Sequence, residues 1–93
     1  MAYINIRNKK GTSGNTPADG SSSWLEFWEN KKGKKATICE VRGCYGNPDV
    51  GGHVIKDGQG SKEYILPMSY GCNNKDESHV FEAWESDLVP VRG

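Results

Sequence analysis

Residues 50–74 read VGGHVIKDGQGSKEYILPMSYGCNN, and the order of features in this stretch decides the fold. Two short runs rich in Val, Ile, Tyr and Leu flank a turn. Asp57-Gly58 and Gly60 supply the positive-φ residues that a tight reversal needs, so a β-hairpin is predicted over about 50–67. The second run leads into Ser69-x-x-Cys72, then Asn73 and Asn74, which has the form of a metal knuckle with its first thiol replaced.

Upstream, Cys39 and Cys44 form a C-x4-C with Gly43 just before the second cysteine. A tight turn of this kind lets two thiolates and the backbone N–H groups between them converge on one cation. With the hairpin bringing Cys72 alongside, three thiolates can converge. A structural zinc takes four ligands and a serine hydroxyl is a poor one, so the fourth is expected from His53, His79 or water. The alternative reading is three small buried cysteines without metal. An odd number of cysteines cannot all pair internally, which points to a reducing, cytoplasmic setting.

Before the knuckle, Ser23-x-x-Glu26 is a capping box, and Trp24, Phe27 and Trp28 follow at i, i+3 and i+4, with Gly33 placed to cap the far end. These signals predict one N-terminal helix over about 23–32, its aromatic rings packed on the hairpin. Lys31, Lys32, Lys34 and Lys35 cluster at its end. They are candidates for contact with nucleic acid or another partner, or else a solvated helix terminus favoured by the dipole.

The remaining stretches are shorter. YINI predicts an edge strand, ATIC a short strand, and HVFEAW and DLVPV further short strands near the C-terminus, whereas the polar residues 8–22 read as a mobile surface loop. At 93 residues one small α+β domain is expected, with its two knuckles placed as in a treble-clef or zinc-ribbon-like unit, near the size at which burial barely exceeds chain entropy. Three Trp, four Tyr and two Phe supply large apolar areas in compensation. No apolar run approaches the roughly 20 residues that span a bilayer, and no secretion signal opens the chain, so no membrane partner is expected. The zero net charge divides unevenly: residues 1–42 hold eight Lys/Arg against four Asp/Glu, and residues 43–93 hold four against eight.

The order of knuckle, GHV strand, hairpin, second knuckle and Asn resembles the treble-clef core of small HNH endonuclease-like proteins. SWLEFWE, VGGHV, YILPM and LVPV extend the likeness to bacterial and mobile-element proteins often labelled HNH-like. In HNH enzymes a histidine on the first hairpin strand is the general base, and residues after the second knuckle hold a divalent metal. The resemblance therefore implies His53 as base, Asn73 at the position following the knuckle, His79 as the later histidine available to a metal, and Mg2+ or Mn2+ if the chain cleaves nucleic acid. Against catalysis, Gly52 stands where a metal-binding Asp often precedes the base, Ser69 replaces a cysteine, and Pro17-Ala18-Asp19 replaces a Cys-x-Cys. In addition, NNKDES leads towards a strand rather than a ligand-bearing helix. His53 also reads as a half-buried strand residue hydrogen-bonded to backbone, and His79 as a surface residue.

The resulting expectation is a non-catalytic binding module that engages a protein or nucleic acid, with no small-molecule cofactor. Two other functions remain: a metal-dependent nuclease using His53, and a phage- or plasmid-encoded inhibitor of a host defence enzyme.

Overall fold

The computed structural model describes residues 2–10, 16, 17 and 19–92. Five strands form one antiparallel sheet: β1 (Tyr3–Asn8), β2 (Val50–Lys56), β3 (Glu63–Met68), β4 (Val80–Trp84) and β5 (Val89–Pro90), in the spatial order β4-β1-β2-β3-β5. Helix α1 (Trp24–Lys32) lies between β1 and β2 in the chain, α2 (Tyr70–Asn73) follows β3, and a 3-10 turn at Glu85–Asp87 precedes β5. The hairpin register places His53 opposite Ile65 and Gly52 opposite Leu66.

Adjacent strand residues point to opposite faces, so Ile65 and Leu66 head two separate cores. On one face α1 lays Phe27 and Trp28 against Ile65 and Val89, and the Trp28 indole N–H donates to the Asp87 carbonyl at 2.7 Å. On the other, Ile6, Val54, Leu66, Met68, Phe81 and Ala83 pack with Cys39, Val41 and Leu88. Both faces are thus covered, one by a helix and one by the cysteine-bearing segment.

Several expectations need correction. The architecture does not open on a helix: β1 comes first, and a second helix, α2, is present. Nor is β1 an edge strand. Tyr3–Arg7 pair with β4 while Ile6–Asn8 pair with β2, because both of its sides find extended partners. The ATIC stretch forms no strand; the Cys39 N–H goes to Gly46 O and the Glu40 N–H to Pro67 O, single tethers rather than a ladder. Of the segment predicted as a mobile loop, Asn8 belongs to β1, and residues 11–15 and 18 lie outside the described residues.

Ser23 caps α1 by accepting the Glu26 N–H, and Gly33, at φ 70°, closes its other end. The Glu26 carboxylate accepts from the Ser22 N–H and hydroxyl, one residue further back than a reciprocal box would place it. Among the described residues no helix is long and apolar enough to cross a membrane.

Candidate metal centre and adjoining groove

Three free thiols meet on the face of the sheet opposite α1. The Sγ atoms of Cys39, Cys44 and Cys72 all lie within 4.8 Å of one another. Cys39 and Cys44 come from a turn closed by Cys44 N–H to Val41 O, with Gly43 at φ 83°. This turn is anchored at a distance by Arg42, whose N–H reaches Glu82 O and whose guanidinium pairs with the Glu82 carboxylate and lies over the Tyr3 ring. Cys72 comes from α2, begun by Ser69, whose hydroxyl accepts the Cys72 N–H at 3.2 Å. The Asp49 carboxylate accepts the Tyr70 N–H and fixes the same end.

Asn8 holds the other end of α2. Its side-chain amide donates to the carbonyls of Cys72 and Lys75, both at 2.9 Å, and to that of Asn73 at 3.4 Å, which ties the strand to the end of this short helix.

Sulfur ligands of a tetrahedral zinc, each about 2.3 Å from the ion, stand about 3.8 Å apart. The spacing of the three thiols requires only a small closure to match, and three such soft ligands suit zinc. Hydrogen bonding from the Gly46 backbone and then from Ser69 holds the Cys44 thiol down at about 7, whereas burial pushes Cys72 up to about 11. Cys44 is accordingly the first of the pair to offer a thiolate.

Neither histidine belongs to this group. His53 pairs with Ile65 and so faces α1, where its ring meets the Trp24 ring edge-on at a centroid distance of 4.7 Å and an angle of 82°. Burial holds its pKa below the usual histidine value, partly opposed by the Glu63 carboxylate, and Nε2 has no hydrogen-bond partner. The backbone hydrogen bond expected of this ring is therefore not made at Nε2. His79 is exposed and lies against Phe81.

His53 instead lines a groove of about 490 Å3 at the start of α1, together with Asn8, Lys9, Lys10, Trp24, Asp49, Gly52 and Asn73. The Lys10 ammonium donates to the Asn73 carbonyl at 3.0 Å, so this lysine is tied to the end of α2. A side chain at Gly52 would require its neighbours to move: a Cβ there would lie 2.4 Å from Met68 Sδ and 2.8 Å from Asn73 Oδ1.

The lysine cluster at the end of α1 stands apart from both sites. Lys32 donates to Ser86 O, Lys35 lies 3.8 Å from the Glu29 carboxylate, and Lys31 and Lys34 lie over the Phe27 and Trp28 rings. Sequence reasoning missed Asn8, Asp49 and Trp24 as parts of the groove. Asn8 ends an alternating strand, and nothing local marks it as a partner for residues near 72. Searches of protein-family models, of curated proteins and of solved structures return no match for this chain.

Proposed function

We propose that the chain is a non-catalytic binding module on an HNH-like treble-clef scaffold, stapled by one zinc ion on Cys39, Cys44 and Cys72. The order of knuckle, hairpin and short helix, with thiols from the first and last, supports the scaffold. The observation that carries the loss of catalysis is Gly52. The side chains of Met68 and Asn73 stand in the space that a carboxylate beside His53 would need, which supports a reading without a catalytic metal there.

The groove at His53 is the surface offered to a partner. A protein is favoured over nucleic acid, because the net charge is zero and the cluster of Lys31, Lys32, Lys34 and Lys35 does not line the groove. Free thiols fit a reducing, cytoplasmic compartment.

Incubation of the purified chain with plasmid and single-stranded DNA in Mg2+, Mn2+ and Zn2+ tests the reading. Wild type and His53→Ala are expected to leave both substrates intact. Cleavage that depends on His53 would establish instead the second reading, a nuclease, which draws its support from the meeting of a neutral His53, Asn73 and Lys10 in one groove. If nucleic acid rather than protein is the partner, affinity must fall steeply with salt as counterions are released.

A further inference from the structure

Beside the three thiols stands a fourth donor. Ser69 Oγ, oriented by the Cys72 N–H, lies 3.6 Å from Cys44 Sγ. In a tetrahedral site with Zn–S of about 2.3 Å and Zn–O of about 2.0–2.2 Å, a sulfur and an oxygen on one ion stand about 3.5 Å apart. The hydroxyl already holds the separation that two ligands of one ion adopt.

The approach depends on Gly46, where a Cβ would lie 3.2 Å from Ser69 Cβ and 3.6 Å from Cys44 Sγ. A Cβ there would push Ser69 back by a few tenths of an ångström while touching Cys44 at an ordinary contact distance. No histidine competes for the position, since His53 lies on the α1 face and His79 packs on Phe81.

We propose that Cys39, Cys44, Cys72 and Ser69 together form a site of three sulfurs and one oxygen for a zinc-class divalent ion, with the neutral Ser69 hydroxyl as fourth ligand. This rests on the metal reading of the preceding subsection but not on the loss of catalysis. On binding, three S–H bonds break and three protons pass to solvent, while the serine keeps its own. The loaded site then carries one net negative charge where four thiolates would carry two, and its oxygen is the ligand that exchanges most easily.

Cobalt(II) titration of the full chain, read by sulfur-to-metal charge-transfer absorbance and by competition with a chelator, tests the assignment. Wild type should show the intensity of three thiolates. Ser69→Cys should raise that intensity by about a third and tighten binding. Ser69→Gly retains an acceptable N-cap yet should weaken binding by about 10–100-fold, the range seen when a group that supports a metal site is removed. Ser69→Thr should restore the wild-type affinity, and circular dichroism should be the same for all four proteins.

If wild type shows three thiolates but Ser69→Gly binds equally well, water fills the fourth position and the assignment falls while the zinc staple stands. If wild type takes up neither cobalt nor zinc, both fall.

Discussion

Glu40 carries an acidity that the sequence does not announce. Burial, then a hydrogen bond and charge repulsion from Asp87, raise its pKa from 4.5 to about 7. Between those values the folded chain holds a proton that the unfolded chain has released, so this group's contribution to stability is full below about pH 4.5 and declines as pH rises towards 7. Glu40→Gln keeps a donor for Asp87 without the charge. The variant should therefore melt higher than wild type at pH 8, with the gap closing near pH 5; an equal gap at both pH values would contradict the assignment. Such pairings are invisible in sequence because Glu40 and Asp87 are brought together only by the tertiary fold. Asn8 is the same kind of residue, a strand-end polar side chain whose three carbonyl partners lie more than sixty positions away.

Helix α1 and the hairpin follow from signals within a few residues: an aromatic face, a serine cap, a terminal glycine and a Gly-rich turn. Their mutual approach is set by Gly51, where a Cβ would come within 2.5 Å of the backbone of Trp24 and Leu25. Gly51→Ala must lift the start of α1 off the sheet and is expected to cost about 1–3 kcal/mol, measured as a fall in the urea midpoint. Gly71→Ala supplies the contrast. It sits in α2 with its nearest neighbour 4.0 Å away and should be neutral or slightly stabilising, since Ala is the better helix former. The same locality explains what was misread: α2 is too short to leave a periodic pattern, and the interior position of β1 is fixed by β4, at the far end of the chain. The cysteine trio was legible because C-x4-C and the Ser69-x-x-Cys72 turn are compact motifs, whereas exclusion of His53 depends on which face of β2 it occupies and exclusion of His79 on its place just before β4, against Phe81.

The whole molecule has two thin cores, one completed by α1 and the other by the cysteine-bearing segment, which has little regular structure of its own. On the α1 side, Trp28 is 1 % exposed and its loss to Ala should cost about 3–5 kcal/mol. On the cysteine side, packing around Cys39 and Cys72 is the part that a bound metal would reinforce. Zinc-loaded protein stripped with a chelator should melt lower, and Cys39→Ser should reproduce most of that fall without chelator; no change in either case would leave packing alone as the support of that face. The order in which the sheet can assemble follows from the register of its first strand. Tyr3 lies opposite Trp84 and Arg7 opposite Val80, so β1 cannot gain its outer partner until the last part of the chain has been synthesised. The hairpin of β2 and β3 can form early, but a chain ending before β4 would present β1 as a bare edge open to other molecules. Long-range closure of this kind is slow. During translation the protein thus passes through a stage at which β1 and β3 both present bare edges, since their outer partners β4 and β5 come last.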